Sequence, residues 1–311
     1  MPEPTICVAL DSTNVDDMVD EAARASTAGA DLVEVRFDRL YLNKPEPTLV
    51  EQEDGETRRV MPPEAEWPIS DASSLNAQDT IQKLKDSIAV PVVFTVRPPR
   101  EGGFFPGTEE ERIEILQQGI DSEVTWIDLE TSIEDPHLEK LLKSAKEKGC
   151  KIIHSIHDIN GTPNSEDIAA FIRENHEKAD LVKFCSTAHS HLDALQIVDA
   201  AIELKGEGLE YSIMAVNSGG DWARIHAPVL GVSMVPHFQW SIVLAIRDSS
   251  MSEICGTHGH FLSTEEMHSL IERRHELFFG FQLWIKSCIH VASIDDDWSQ
   301  YNRHEEYKKC E

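Results

Sequence analysis

The amino-acid sequence predicts an α/β fold, a (β/α)8 or TIM barrel in which parallel strands alternate with helices. Short apolar runs alternate along the chain with longer segments of helical period, as in repeated βα units. The repeating unit is about 30 residues long, which suits a barrel of eight units. A doubly wound open sheet is the alternative, but no G-x-G-x-x-G turn, its usual nucleotide signature, follows the first strand.

Eight segments have the short apolar character of strands buried in a parallel sheet. In chain order they are TICVAL (5–10), DLVEVRF (31–37), PVVFTVR (91–97), TWIDLE (125–130), KIIHSIH (151–157), DLVKFCS (180–186), YSIMAVN (211–217) and LGVSMV (230–235).

Amphipathic segments of helical period lie between most of these strands. Four are VDDMVDEAARAS (15–26), EEERIEILQQGI (109–120), HLEKLLKSAKEKG (137–149) and HLDALQIVDAAIEL (191–204). Residues that favour helix N-caps precede two helices, with Asp11-Ser12-Thr13 before the first and Asn164-Ser165 before the one containing IAAFI.

Two segments exceed a minimal barrel. Residues 41–76 are rich in Pro, Glu and Ser and lack periodicity, so we expect a surface insertion between the second strand and its helix. The polar residues 286–311 are expected to form a C-terminal extension, which leaves residues 1–285 as a single catalytic barrel domain. Without insertion and extension, close to 250 residues remain, the usual size of such a barrel.

The charge balance limits the partners. Fifty-six Asp and Glu against 28 Lys and Arg give a formal net charge of −28 at pH 7. Such a surface repels nucleic acids and anionic membranes, so neither is expected as a partner, and an anionic substrate must be gathered by local arginines. The acidic residues are spread through the chain, which suits a protein at raised salt, where screening weakens self-repulsion.

The cysteine pattern and the N-terminal sequence favour a cytoplasmic protein. Six scattered cysteines include no C-x-x-C pair, so buried reduced thiols are expected rather than disulfides. The N-terminal MPEPTICVAL has no basic region, and no segment approaches 18 continuous apolar residues.

Ionisable residues collect at the predicted strand ends, where the active site of such a barrel lies. They are Glu34, Arg36, Asp38, Arg97, Glu101, His157, Asp158, Lys183 and Arg224. So many charges on neighbouring strand ends would be costly in an inert core, which favours a functional site.

Lys183 lies inside the apolar run ADLVKFC (179–185) and has two interpretations. It could sit at the strand end with its ammonium group in water. Alternatively, burial and nearby cations could keep its amine partly neutral and therefore able to attack a carbonyl. His157 has a pKa range suited to proton transfer, and Arg224 offers a bidentate fork for a carboxylate.

Five motifs occur together and in order: E-x-R-x-D (34–38), R-x-x-x-E-G-G (97–103), S-x-H-D followed by T-P (155–163), the strand-six Lys183, and G-x-x-x-R (220–224). Together they resemble type I 3-dehydroquinate dehydratase, the Schiff-base dehydroquinase family of the shikimate pathway. The resemblance covers roughly residues 5–38 and 77–235.

The resemblance implies dehydration of 3-dehydroquinate to 3-dehydroshikimate without metal or cofactor, in chorismate and aromatic amino-acid biosynthesis. Lys183 would form an imine with the C3 ketone, which acidifies the C2 hydrogen. His157 would take that proton and later deliver one to the departing C1 hydroxyl. Glu101 or Asp158 could orient the imidazole, and the family pattern favours Glu101.

The resemblance also implies the substrate contacts. Glu34 and Arg97 would lie in the pocket and Arg224 would bind the substrate carboxylate, while Arg36 is equally consistent with a substrate contact or an ion pair with Asp38. The family closes its pocket with a loop after the last strand that ends in a Ser-x-Pro-Gly-Gln-like segment. Here CGTHGH (255–260) takes that place, so His260 is the expected lid contact.

Other functions stay open at this point. The barrel could bind ligand without turnover because the lid has diverged, or it could be another Schiff-base lyase or aldolase, although Glu34, Arg97 and Arg224 suit a polyhydroxy carboxylate better. A metal-dependent hydrolase built on His189 and His191 is the weakest alternative, since this pair lies where a loop becomes a helix. A homodimer is compatible with the sequence but not determined by it.

Overall fold

The computed structural model describes residues 4–51, 57–220, 223–224 and 226–237. In these residues eight parallel strands form a nearly closed barrel, and two further strands form a separate hairpin. The strands are β1 (Thr5–Ala9), β2 (Leu32–Arg36), β3 (Thr48–Glu51), β4 (Thr57–Val60), β5 (Val92–Thr95), β6 (Trp126–Glu130), β7 (Lys151–Asp158), β8 (Leu181–Ala188), β9 (Tyr211–Asn217) and β10 (Met234–His237).

The barrel strands pair in the order β10-β1-β2-β5-β6-β7-β8-β9. Ser233 completes the ring between the two ends of this order. Its N–H donates to the carbonyl oxygen of Tyr211 at 2.9 Å, and its own carbonyl accepts from the N–H of Thr5 at 2.9 Å. The predicted (β/α)8 barrel is therefore confirmed.

Helices follow the barrel strands, as a βα repeat requires. They are α1 (Val15–Ala28), α2 (Ala77–Ser87), α3 (Glu109–Asp121), α4 (Asp135–Lys148), α5 (Ser165–Asn175), α6 (His191–Leu204) and the short α7 (Ala227–Leu230). No helix among the described residues is long and apolar enough to span a membrane.

Two details of the sequence prediction are wrong. Asn14, rather than Asp11-Ser12-Thr13, caps α1, because its side chain accepts from the N–H of Asp17 while Asp11 pairs with Arg39. The last strand begins later than predicted, since residues 227–230 form α7 and Gly231, with φ of +81°, ends that helix.

The insertion at residues 41–76 has more structure than its composition indicates. β3 and β4 pair as an antiparallel hairpin, on which Leu49 is 69% exposed. Tyr41, Leu42 and Trp67 are buried at the base of the insertion, where they hold it against the barrel. The insertion therefore lies on the surface between β2 and α2, as predicted, and it contains an antiparallel hairpin that its composition does not indicate.

The barrel interior is apolar at its amino end and polar at its carboxyl end. A buried cluster contains Cys7, Leu32, Val93, Ile153, Leu181 and Met234. Residues two positions apart on a strand point to the same side of the sheet. Four residues of this cluster each lie two positions before a polar residue, and these polar residues therefore also face the barrel interior: Glu34, Thr95, Ser155 and Lys183. The apolar cluster forms a floor beneath the polar residues, which lie toward the carboxyl ends of the strands.

Three predictions concern residues outside the described ranges. They are the lid at 255–260, the domain boundary at 285 and the extension at 286–311. Cys7, Cys150 and Cys185 are free thiols, and the other three cysteines also lie outside the described ranges.

Candidate active site

Lys183 is buried in the barrel, with a residue exposure of 3%. Its Nζ lies 3.3 Å from Asp128 Oδ2 on β6 and 3.5 Å from Glu34 Oε1 on β2. The next residue, Phe184, points the other way and contacts the ring of Phe171 in α5. The interpretation in which the ammonium group reaches water at the strand end is therefore wrong.

The expected direction of the Lys183 pKa is also wrong. Burial acts to lower this pKa, but the negative charges of Glu34 and Asp128 outweigh burial and the nearby Arg97, so the pKa of Lys183 is raised. The free protein therefore holds Lys183 as an ammonium ion. Two carboxylates in contact with Nζ stabilise any positive charge that develops on that nitrogen.

Glu34 links the two cations at the centre of the site. Its Oε1 accepts from Thr95 Oγ1 at 2.9 Å and from Arg97 Nη2 at 3.2 Å, besides the contact with Lys183. Burial acts to raise the pKa of Glu34, but the charges of Lys183, Arg97 and Arg36 outweigh it and hold this pKa at about 2. Glu34 is therefore ionised and joins β2, β5 and β8.

His157 on β7 is held by Glu101. Its Nδ1 lies 3.1 Å from Glu101 Oε2, which also accepts the backbone N–H of His157 at 3.1 Å. Ser132 Oγ donates a short hydrogen bond to the other oxygen of Glu101. Asp158 instead accepts from the N–H of Asn160 at 2.9 Å. Of the two carboxylates that could orient the imidazole, Glu101 is the one in contact.

The imidazole of His157 is suited to accept a proton. Burial lowers its pKa well below the usual value, and the positive charges of Arg97, Lys183 and Arg36 lower it further. Since the oxygens of Glu101 accept, the geometry favours a proton on Nδ1, which leaves Nε2 basic. Nε2 is buried and has no hydrogen-bond partner in the part of the chain that the structure describes.

Arg36 forms a buried bidentate ion pair with Asp38. Its Nε and Nη2 donate to the two carboxylate oxygens at 2.8 and 2.7 Å, and Asp38 also accepts the N–H of Phe104 at 3.0 Å. Asp38 thereby ties β2 to the loop after β5. Between the two interpretations of Arg36, this geometry favours the ion pair.

Two motif glycines allow close backbone approach beside the arginines. A Cβ at Gly103 would lie 2.0 Å from the carbonyl oxygen of Arg97, and one at Gly220 would lie 2.3 Å from that of Ala215. The loops that carry Glu101 and Arg224 can therefore fold tightly over the strand ends only with glycine there. Arg224 is buried, and its Nη1 is 3.5 Å from the carbonyl oxygen of Gly220.

Asp128 was not recognised from the sequence, and Ser155 appeared there only as part of the S-x-H-D motif, without a role. Asp128 is fully buried, and its Oδ1 accepts from Ser155 Oγ on β7 while Oδ2 contacts Lys183. The signal was present in TWIDLE, where Asp128 and Glu130 alternate with apolar residues. Two carboxylates on one face of a buried strand point into a barrel only if charge is needed there.

The histidine pair in STAHSH lies apart from this site. His189 Nε2 donates to the carbonyl oxygen of Asn160 at 2.8 Å, and Ser190 between the two histidines caps α6. Across the described ranges no group of three or more His, Cys, Asp or Glu side chains is placed to hold a metal ion. His260 lies outside those ranges.

Comparison with known proteins agrees with this geometry. Residues 6–238 match the model of a family described as Type I 3-dehydroquinase. The chain is 27% identical to the 3-dehydroquinate dehydratase of Methanosarcina acetivorans over 220 residues, 68% of this chain and 77% of that protein. It is 26% identical to the enzyme of the same name from Methanothermobacter thermautotrophicus over 228 residues, 73% of this chain and 83% of that protein.

The fold is also similar to a solved structure. The 3-dehydroquinate dehydratase of Enterococcus faecalis superposes with a TM-score of 0.64 at 20% identity, covering 79% of this chain and 93% of that one. At this identity the likeness concerns the fold, a (β/α)8 barrel.

Proposed function

Because this chain belongs to the type I 3-dehydroquinase family, we propose that it is a hydro-lyase that converts 3-dehydroquinate into 3-dehydroshikimate and water through an imine on Lys183. This reaction is a step of the shikimate pathway, which leads to chorismate and the aromatic amino acids. The observation that carries the proposal is the buried Lys183 amine in contact with Glu34 and Asp128, in the same barrel as the His157–Glu101 pair.

Imine formation uses Lys183. Its ammonium group must first lose a proton to a neighbouring group or to water, since only the free amine attacks the C3 carbonyl. The carbinolamine then loses water to give a protonated imine. Glu34 and Asp128, each within 3.5 Å of Nζ, stabilise the positive charge of that imine.

Elimination uses His157. The protonated imine withdraws electrons, so the C2 hydrogen becomes acidic and its proton passes to Nε2 of His157, leaving an enamine. The enamine electron pair then expels the C1 hydroxyl, which takes the proton from His157 and leaves as water. Hydrolysis of the conjugated imine releases 3-dehydroshikimate and returns the Lys183 amine. Glu101 keeps the imidazole in the orientation that both proton transfers need.

The arginines and Glu34 bind the substrate. Arg224 provides a guanidinium for the substrate carboxylate, and Arg97 and Glu34 hold ring hydroxyls. The Nε of Arg97 is buried and has no hydrogen-bond partner among the residues described, so it can donate to a bound hydroxyl. Arg36 supports the site through Asp38. His260 is proposed as a lid contact by sequence position only.

The partners follow from charge and chemistry. With a net charge of −28 we expect a small-molecule substrate and neither nucleic acid nor membrane binding. Imine chemistry supplies its own electron sink, so no cofactor is required. We expect a cytoplasmic protein, and light scattering of the purified protein tests whether it forms a homodimer.

Reductive trapping tests the function. Borohydride added with 3-dehydroquinate should reduce the imine and leave a mass adduct on the peptide containing Lys183. Lys183→Ala should abolish both the adduct and nearly all turnover, and Lys183→Arg should not restore them, because a guanidinium stays protonated. The matched control is Lys143→Ala, at an exposed lysine of α4.

Four results would contradict the proposal, in three different ways. An adduct on another lysine, or turnover without any adduct, would show that Lys183 is structural. An adduct without turnover would show a barrel that binds the ligand but does not dehydrate it. An adduct with other ketones but none with 3-dehydroquinate would favour another Schiff-base lyase or aldolase.

A further inference from the structure

A further buried guanidinium, besides those of Arg36, Arg97 and Arg224, lies beside the site but takes no part in the proposed chemistry. Arg112, in the first turn of α3, is fully buried. Its Nη1 donates to Glu130 Oε2 at 2.7 Å, and its Nε and Nη2 donate to the two oxygens of Glu109 at 3.0 and 2.6 Å. One arginine therefore has two carboxylate partners, one on β6 and one on its own helix.

Arg112 also holds the segment that carries Arg97. Its Nη1 donates to the carbonyl oxygen of Val96 at 3.0 Å, and Val96 directly precedes Arg97. Glu130 lies at the carboxyl end of β6. The guanidinium therefore joins the carboxyl ends of β5 and β6, next to an arginine that contacts Glu34.

Glu109 extends the network to Glu101. Both of its oxygens also accept from Arg100, at 2.9 and 3.1 Å, and Arg100 directly precedes Glu101. Arg100 Nη2 lies 3.4 Å from the carbonyl oxygen of Ser132, whose hydroxyl donates to Glu101. Both ends of the short segment from Arg97 to Glu101 are thus held in place. Arg112 binds the residue before Arg97, and Glu109 binds the residue before Glu101.

The energetics favour a positioning role over simple stabilisation. Burying an ion pair removes both charges from water, and this desolvation offsets much of their attraction, so such pairs add little net stability. A fork of charge-assisted hydrogen bonds does, however, restrict geometry strongly. Proton transfer by His157 needs that restriction, because displacement of a catalytic group by about 1 Å can cost roughly 100-fold in rate.

We propose that Arg112 is a positioning residue, which with Glu109, Glu130 and Arg100 holds Arg97 and Glu101, and through Glu101 the imidazole of His157, in their working geometry. The inference rests on the proposed function and assigns to α3 a part in it. Arg112 touches neither the substrate nor the reacting atoms.

Two variants test it, and reductive trapping separates the two chemical steps. Arg112→Lys keeps the charge but loses the fork, and Glu109→Gln, at a partly exposed site, keeps the shape but loses both charge-assisted pairs. Each should lower kcat roughly 10- to 100-fold. With substrate deuterated at C2, the isotope effect on kcat should increase, because proton removal becomes slower. Single-turnover formation of the Lys183 adduct should stay within about twofold of the unaltered protein.

Arg173→Lys is the matched control, because the partly exposed Arg173 of α5 makes an equivalent fork with Glu203 of α6 and with Glu207 just after that helix. It should leave kcat and the isotope effect unchanged. If Arg112→Lys and Glu109→Gln both fold and keep kcat within about twofold of that control, the inference is overturned. A loss of adduct formation as large as the loss of kcat would also overturn it, because such a result indicates general damage to the active site. If Arg112→Lys does not fold, Glu109→Gln decides alone. Absence of both adduct and turnover in the unaltered protein would instead refute the proposed function.

Discussion

Replacement of Gly103 by alanine should damage both stability and activity. The new Cβ would lie 2.0 Å from the carbonyl oxygen of Arg97 and 2.4 Å from its carbonyl carbon. Non-bonded atoms are in ordinary contact at about 3.5 Å, so the overlap is roughly 1.5 Å, and the atoms in the way belong to backbone that no side-chain rotation can move. The loop or the strand end must therefore shift by about that distance.

The magnitude follows from this shift. Overpacking of this kind costs about 1–3 kcal/mol in the free energy of unfolding. Since the shift falls between Arg97 and Glu101, kcat/KM should also fall by roughly 100-fold. The assays are thermal unfolding and the rise in absorbance as the conjugated enone product forms.

Gly161→Ala is the matched control, because nothing lies within 4 Å of a Cβ built at Gly161 and its φ is not left-handed. It should change the free energy of unfolding by no more than about 0.5 kcal/mol. If Gly103→Ala has the same melting temperature and the same kcat/KM as Gly161→Ala, the close approach of the loop to Arg97 is wrong.

The other predictions concern conditions and the lid. Activity should survive chelators, and a loss on EDTA treatment that a divalent ion restores would contradict the imine mechanism. The melting temperature should rise from low to molar salt, because screening weakens the self-repulsion of a net charge of −28; a flat or falling value would contradict this. Because the pKa of His157 lies well below its usual 6.5, the base stays neutral as pH falls through that value. We therefore expect kcat/KM to fall only at a pH well below 6.5, where His157 becomes protonated. A pH profile in which kcat/KM falls with an ordinary histidine pKa would contradict the buried, cation-rich surroundings of His157. His260→Ala should weaken substrate binding more than imine formation, whereas His260→Gln should be tolerated; no effect of either change would place the lid elsewhere in residues 236–262.

The residues around Lys183 show which features of the site can be predicted from sequence patterns alone. Glu34, Arg36 and Asp38 are spaced by two in VEVRFD, and this spacing alone places them on one face of a strand. Lys183 stands out in the same way, as a charge in an apolar run. These are local patterns, so a reader of the sequence can recognise the strands and the residues that carry charge inside them.

The partners of these charges depend on the tertiary structure. Lys183 meets Asp128, 55 positions earlier in the chain, because β6 and β8 flank β7 and their inward faces converge. From the sequence, only the cations near Lys183 could be weighed, because nothing local shows that Glu34 and Asp128 both contact its amine, and for that reason the opposite pKa direction was expected. The choice of Glu101 over Asp158 as the partner of His157 likewise depends on how the loop after β5 folds.

By itself the sequence determined the eight-stranded barrel, the family, the position of the insertion and the charged residues on the inward strand faces, because each is expressed in local periodicity, composition or motif order. Only the tertiary structure decided the hairpin within the insertion, the pairing of Arg36 with Asp38, the contact of Lys183 with Asp128 and the network around Arg112. The physical reason is that the energy of a buried charge is set by the few groups within about 4 Å of it, and the folded barrel brings those groups together from distant parts of the chain.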